Sequence, residues 1–198
     1  MSLKVSRRSA VDPFFVMDVM RAANAHAASG AEVLHLEVGQ PGTAAPRGVL
    51  DAARHALDTD RIGYTDAFGI PELRTALSGH YRDFYGLGVP ADRIVVTTGS
   101  SGGFLLAFLA AFDAGDRVAL AAPGYPAYRN ILAALGVEPV MLETQAEDRF
   151  QPTPALLDRV EGPLHGLIVA SPSNPAGTML DRQHLAALVD YCAARDIR

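Results

Sequence analysis

The chain has 198 residues, of which 49% are hydrophobic and 20% are charged, a composition that supports a buried core and excludes a disordered chain. Its 17 basic and 22 acidic residues give a formal charge of −5, which argues against a nucleic-acid or anionic-membrane partner. The single cysteine, Cys192, cannot form an internal disulfide, which favours a reducing compartment and predicts a cytoplasmic protein. The longest apolar run, residues 104–112, is far shorter than the roughly 20 residues that span a bilayer.

The first 85 residues predict three helices and one strand. In chain order these are a helix over residues 11–28, a strand over residues 33–38, a helix from Pro46 to residues 57–59, and a helix over residues 72–85. The strand is closed by a glycine- and proline-containing turn, residues 39–42.

From residue 93 onward, short apolar runs alternate with helical stretches, which indicates an α/β protein with a mainly parallel sheet. The expected strands are residues 93–97, 117–121, 137–142 and 166–170, and the expected helices are residues 104–112, 127–135, 154–160 and 181–194. Asp181 is the predicted N-cap of the last helix. Residues 196–198 follow that helix as though another strand were beginning, so we expect the chain to be the first part of a longer protein.

Ligands of open α/β sheets bind beyond the carboxyl ends of the strands. Four unusual segments follow predicted strands: residues 39–42, 98–103, 122–126 and 171–177. The second of these contains Ser100 and Ser101 among three glycines and leads into a helix. Free N–H groups at a helix N-terminus suit a phosphate, and two serine hydroxyls add donors. The alternative is a tight turn with a serine N-cap, which this segment alone fits equally well.

Two other segments offer one candidate side chain each. Tyr125 lies between Gly124 and Pro126, where a rigid turn suits a ring held flat against a planar ligand; the alternative is a packing residue. The amide of Asn174 can donate to a ligand oxygen, and the alternative there is an Asx turn. The histidines show no paired metal-ligand spacing, and a single cysteine cannot build a zinc cluster, so no metal is expected.

Five motifs in order resemble one known family. They are LEVGQP from Leu36, GYT from Gly63 with GIPELR from Gly69, VTTGSSG from Val96, PGYP from Pro123, and SPSNPAG from Ser171. The chain is thereby similar to the N-terminal half of a class I/II aminotransferase, a fold-type I enzyme dependent on pyridoxal 5′-phosphate. The resemblance implies a three-layer αβα large domain with a mainly parallel sheet, as in aspartate aminotransferase. It also implies a domain division, with residues 1–44 forming an arm and part of a small domain and residues 45–198 beginning the large domain.

The resemblance implies a role for seven residues. The cofactor phosphate would be held by Ser100, Ser101 and Gly102. The cofactor ring would stack on Tyr125, and its phenolic oxygen would accept a hydrogen bond from Asn174. The substrate carboxylate would lie against Gly39. The phosphate of the neighbouring subunit would be reached by Tyr64, which implies a homodimer with shared active sites.

The same resemblance implies that the chain lacks a catalytic residue. The family's Schiff-base lysine is expected beyond Arg198, and the only lysine, Lys4, does not match that position. We therefore expect the intact protein to transfer an amino group between an amino acid and a 2-oxo acid, and the 198-residue segment alone to be inactive. Three alternatives stay open: a fold-type I carbon–sulfur β-lyase or related elimination enzyme, an aminotransferase-like effector domain of a transcription regulator, and a phosphate-binding α/β module without this cofactor.

Overall fold

The computed structural model describes residues 4–198. Its helices and strands in chain order are α1 (Phe15–Ala28), α2 (Arg47–Thr59), α3 (Pro71–Tyr85), α4 (Gly99–Ala111), β1 (Arg117–Ala122), α5 (Pro126–Leu135), β2 (Glu138–Glu143), α6 (Pro154–Leu157), β3 (Gly166–Ile168) and α7 (Arg182–Ala193). The chain divides into two compact units. One joins the residues up to Phe14 with Gly99–Arg198, and the other is Phe15–Thr98.

The first unit is built on a parallel sheet with the strand order β2-β1-β3. Because successive side chains of a strand point to opposite faces, β1 feeds two separate clusters of buried residues. On one face, Val118 and Leu120 pack with residues of α4 and α5; on the other, Ala119 packs with Leu142, Leu157 and Leu188. Burial on both faces is the usual condition of a parallel strand, and it gives this unit three layers, helix on sheet on helix.

The second unit contains the first three helices. Pro71 begins α3, and Gly86, in the left-handed region at φ 67°, caps its end, which is the usual asymmetry of helix termini. The Arg74 side chain ties the following segment to α3, because its Nε donates to the carbonyls of Ala91 and Ile94 at 3.0 and 2.9 Å.

Two expected strands, residues 33–38 and 93–97, do not form in the structure. A short 3-10 turn, Ala91–Arg93, covers the start of the second. An apolar run becomes a strand only when a neighbour takes its backbone hydrogen bonds, and no segment of the described residues forms a ladder with either run. Accordingly Leu34 and Leu36 are 83% and 91% exposed.

Three helices differ by three or more residues from the bounds expected. Helix α1 begins at Phe15 instead of residue 11, because Pro13 disfavours a helical backbone at the residue before it. Helix α4 begins at Gly99 instead of residue 104, so the serine–glycine segment is its first turn and not a loop before it. Serine and glycine are weak helix formers, which hides the start of the helix from a propensity argument; its stability comes from packing of Phe104 and Phe108. Helix α6 ends at Leu157, three residues earlier than expected.

None of the helices in residues 4–198 is long and apolar enough to traverse a bilayer.

The predicted N-cap of α7 is confirmed and carries a pH dependence. The backbone N–H of His184 donates to Asp181 Oδ1 at 2.9 Å, and the His184 ring adds a second hydrogen bond at 2.8 Å. These two interactions, in that order, lower the pKa of Asp181 below its ordinary value of 3.8. The carboxylate therefore stabilises the folded chain fully above that value, and this contribution is lost as the pH falls through the lowered pKa.

Asp181→Ala should lower the melting temperature at pH 7, and the difference from wild type should shrink as the pH falls below 3.8. Asp181→Asn keeps a capping oxygen, so it should melt close to wild type at pH 7. Thermal melts between pH 7 and pH 3 test this. A difference between Asp181→Ala and wild type that is constant over this range would contradict it.

Candidate cofactor site

A cleft opens at the carboxyl ends of β1 and β3 in the first unit. Its empty volume is about 310 Å³, open to solvent. The residues that line it come from the end of β1, the following turn, residues 150–152, and the segment after β3. Among them are Tyr125 and Asn174, so the structure brings two of the predicted site residues to one cleft. This is the position that parallel α/β sheets use for ligands.

Tyr125 is held by the turn between β1 and α5. It is the N-cap residue of α5, and Pro126 occupies the first helical position. The rings of Phe14 and Tyr128 contact the Tyr125 ring edge-on, at centroid distances of 6.0 and 5.4 Å and interplanar angles of 85° and 83°. Neither neighbour therefore stacks flat on the Tyr125 ring. Because no ring of the described residues lies parallel to it, the face of Tyr125 can take a planar ligand.

Asn174 lies in the loop that follows β3. The loop is held by its own backbone, since Ser173 N donates to Thr178 O at 2.8 Å and Gly177 N to Ser173 O at 2.7 Å. The peptide bonds before Pro172 and Pro175 are cis. Asn174 is exposed, and its amide makes no hydrogen bond to any residue in 4–198. Its donor group is thus available to a ligand.

The serine–glycine segment starts α4 in the same unit. Ser100 and Ser101 are exposed, and their hydroxyls have no hydrogen-bond partner within the described part of the chain. The first turn of α4 contains no acidic residue, although acidic side chains are favourable at helix N-termini. The backbone N–H groups of Ser100, Ser101 and Gly102 lie at the start of the helix, where no preceding helical carbonyl accepts from them. Together with the two hydroxyls they form a donor set suited to an anion.

A row of aromatic rings connects this helix start to the cleft. Phe104 lies one turn further along α4 and contacts Tyr128 edge-to-face at 4.9 Å. Tyr128 in turn contacts Tyr125. Burial, and to a lesser extent Tyr125, raises the pKa of Tyr128, so this phenol stays neutral at physiological pH. The residues that line the cleft include no ionisable group besides these two tyrosines, so the cleft can bind and orient a ligand but offers no lysine or carboxylate for proton transfer.

The other predicted site residues lie in the second unit. Gly39 is exposed, and a Cβ added to it would meet no heavy atom within 4 Å. Tyr64 is fully exposed. Their roles toward substrate and neighbouring subunit stay predictions. Within residues 4–198, no three His, Cys, Asp or Glu side chains are grouped so as to hold a metal ion.

Among the cleft residues that sequence reasoning missed is Gln151. It is only 2% exposed and lies beneath the loop that carries Asn174. A single glutamine between Phe150 and Pro152 has no periodic pattern or motif, so the sequence offered no signal for it. Burial of an uncharged but strongly polar side chain is the feature that reveals it.

A family model for aminotransferase class I and II matches residues 31–198. The chain belongs to this family. The predicted resemblance is thereby confirmed, and enzymes of the family depend on pyridoxal 5′-phosphate. The chain is 50% identical over all 198 residues to valine–pyruvate aminotransferase of Mycobacterium tuberculosis, of which it covers 51%.

Solved aminotransferase structures agree in fold. An aminotransferase from Mycobacterium tuberculosis superposes with a TM-score of 0.94 at 50% identity, over 100% of this chain and 51% of that one. Aspartate aminotransferase from Thermus thermophilus with maleate superposes with a TM-score of 0.91 at 32% identity, over 99% of this chain and 52% of that one. The expected aspartate-aminotransferase-like α/β fold is confirmed, and the chain spans about half the length of the curated relatives it matches.

The described residues fit the family's cofactor. Pyridoxal 5′-phosphate has an anionic end, a flat aromatic ring and a phenolic oxygen. The N–H groups and hydroxyls of Ser100 and Ser101 suit the first, and the unstacked ring of Tyr125 suits the second. The free amide of Asn174 suits the third.

Proposed function

We propose that the whole protein is a pyridoxal-phosphate-dependent aminotransferase that moves an amino group between an amino acid and a 2-oxo acid. The observation that carries this proposal is the cleft at the ends of β1 and β3, which Tyr125 and Asn174 both line. Family membership supports it, because the relatives at 50% and 31% identity are named as aminotransferases. No relative among them is named as a lyase, so the elimination alternative gains no support.

Each described site residue has a binding or orienting task in this proposal. The N–H groups and hydroxyls of Ser100 and Ser101, with the backbone of Gly102, neutralise and fix the phosphate at the positive end of α4. Tyr125 sets the plane of the ring, and Asn174 donates to the phenolic oxygen and so fixes the ring's rotation. When bound, the cofactor supplies the electron sink for removing the substrate's α-proton. The cleft lacks a lysine or a carboxylate to move that proton, and we assign this task to a Schiff-base lysine beyond Arg198.

The finer parts of the proposal concern assembly and location. Gly39 lies against the substrate carboxylate, and Tyr64 reaches the phosphate of the neighbouring subunit in a homodimer. Residues 1–44 form an arm and part of a small domain, and residues 45–198 begin the large domain. The lone cysteine supports a cytoplasmic protein, because disulfides are rare in reducing compartments.

For substrate class we propose an apolar amino donor with pyruvate as acceptor. The support is the identity of 50% to the valine–pyruvate enzyme, against 31% to the aspartate aminotransferase of Pyrococcus horikoshii.

The test is an amino-transfer assay of the whole protein with valine and pyruvate, and with aspartate and 2-oxoglutarate. We expect alanine and the 2-oxo acid of valine as products of the first pair, with the higher kcat/KM of the two. The 198-residue chain, assayed beside it, should show no turnover. Release of ammonia and a 2-oxo acid from a single amino acid would favour elimination and contradict the proposal. Equal turnover by the 198-residue chain would contradict the assignment of the Schiff-base lysine to a position beyond Arg198.

A further inference from the structure

Gln151 spans the base of the loop that carries Asn174. Its Nε2 donates to Thr178 O at 2.8 Å and to Ala170 O at 3.2 Å. Ala170 immediately precedes residues 171–177, and Thr178 immediately follows them. One buried amide therefore binds both ends of the loop.

The hydrogen bonds of the loop converge on the same carbonyl. Thr178 O accepts from Gln151 and also from Ser173 N, the residue next to Asn174, at 2.8 Å. Ser173 is itself 9% exposed, so this contact is shielded from water. Without Gln151, this half-buried carbonyl would keep Ser173 N as its donor but lose a second hydrogen bond, and we expect it to shift toward a new partner. Movement of Thr178 O would pass directly to Ser173 and thus to the direction of the Asn174 amide.

The turn that delivers Gln151 has an unusual backbone. Arg149 and Phe150 both lie in the left-handed region, at φ 55° and 53°, which non-glycine residues seldom adopt. Hydrogen bonds enforce it: Phe150 N donates to Gln145 O at 3.0 Å and Gln151 N to Asp148 O at 3.1 Å. This backbone turns Phe150 into the cleft and Gln151 under the loop.

We propose that Gln151 is a positioning residue for Asn174. It acts through the loop 171–177 and fixes the direction in which the Asn174 amide donates to the phenolic oxygen of the cofactor. This inference rests on the proposed function, since it assumes that Asn174 meets that oxygen. It adds a residue that touches neither the reacting atoms nor the phosphate.

The test uses Gln151→Met, which keeps the length of the side chain and removes its donor, together with Asn174→Ala and the double variant. The probes are pyridoxamine 5′-phosphate, which binds without a bond to a lysine, and its 3-deoxy analogue, which lacks the phenolic oxygen. Dissociation constants for the cofactor-free whole protein are measured by fluorescence titration. Gln145→Met is the matched control, because Gln145 lies in the same turn with an exposed side chain. Thermal melts verify folding, and Gln151→Leu replaces the methionine variant if that one does not fold.

We expect Gln151→Met to weaken binding of pyridoxamine 5′-phosphate about tenfold, the loss of roughly one hydrogen bond. Binding of the 3-deoxy analogue should change less than twofold. In the Asn174→Ala background the same substitution should have almost no further effect, which is the non-additivity of two residues that act as a unit. Gln145→Met should bind both probes as wild type does.

Two results would overturn the inference. Equal loss for both probes would mean that Gln151 only supports the fold, and unchanged binding of both would mean that it does not position Asn174. In either case wild type would still prefer pyridoxamine 5′-phosphate to its analogue, so the proposed function would stand. If wild type bound neither probe, or bound both equally, the assignment of Asn174 to the phenolic oxygen would fall and Gln151's role with it.

Discussion

Ser101→Asp should lower the affinity of the whole protein for pyridoxamine 5′-phosphate about a hundredfold while leaving the fold as stable as before. The variant removes a hydroxyl donor to the phosphate and puts a carboxylate beside it, so lost charge-assisted hydrogen bonding and like-charge repulsion act together. Helix α4 itself should tolerate the change, because its first turn has no acidic residue and Ser101 is exposed. A carboxylate at a helix N-terminus is stabilising by about 0.3–1 kcal/mol.

Ser101→Asn is the control for that prediction, since asparagine has nearly the same size as aspartate and carries no charge. It should lose about tenfold in affinity, the lower end of what one hydrogen bond to a charged group contributes. Fluorescence titration and thermal melting of the three proteins give both quantities. Equal affinity of Ser101→Asp and wild type would show that the phosphate does not bind at the start of α4. A loss in free energy of unfolding as large as the loss in free energy of binding would show that the residue matters for folding instead.

Gly124→Ala should reduce both stability and cofactor affinity. A Cβ on Gly124 would clash with the carbonyl oxygen of Ala121, a backbone atom that cannot rotate away. The turn between β1 and α5 must therefore shift, and Tyr125, the next residue, must shift with it. Overpacking of this kind costs about 1–3 kcal/mol. We expect a comparable loss of free energy of unfolding, and affinity for pyridoxamine 5′-phosphate more than about tenfold lower, because the ring of Tyr125 is displaced.

Gly48→Ala is the matched control. Gly48 lies in α2, and a Cβ there would meet no heavy atom within 4 Å. It should leave affinity unchanged and raise stability slightly, since alanine favours a helix more than glycine does. Urea unfolding and fluorescence titration of both variants provide the comparison. Wild-type affinity in Gly124→Ala would mean that the position of Tyr125 does not matter for binding the ring.

The local sequence predicts those elements whose partners lie within the chain. Strand β1 reads as a short apolar run and is buried on both faces. Asp181 caps α7 because its oxygen needs only a donor three residues away. Residues 33–38 and 93–97 have the same strand-like pattern but no ladder partner among the described residues, so the pattern alone overpredicts them.

The candidate site likewise contains residues that the local sequence predicts and one that it does not. Ser100, Ser101, Tyr125 and Asn174 stand in short motifs next to predicted strand ends, so family resemblance and general rules for parallel sheets both indicate them. Gln151 could not be found in this way. Its role depends on hydrogen bonds to two carbonyls that lie 19 and 27 residues further along the chain. It also depends on a turn whose left-handed residues are not glycines, so the sequence does not indicate it.

A crystal structure of the whole protein with pyridoxal 5′-phosphate bound tests the proposed site most directly. We expect the phosphate within hydrogen-bonding distance of the N–H groups and hydroxyls of Ser100 and Ser101, and the ring parallel to that of Tyr125. The amide of Asn174 should lie within hydrogen-bonding distance of the phenolic oxygen. Density for the cofactor at any other place, with the first turn of α4 in contact with solvent alone, would contradict the account.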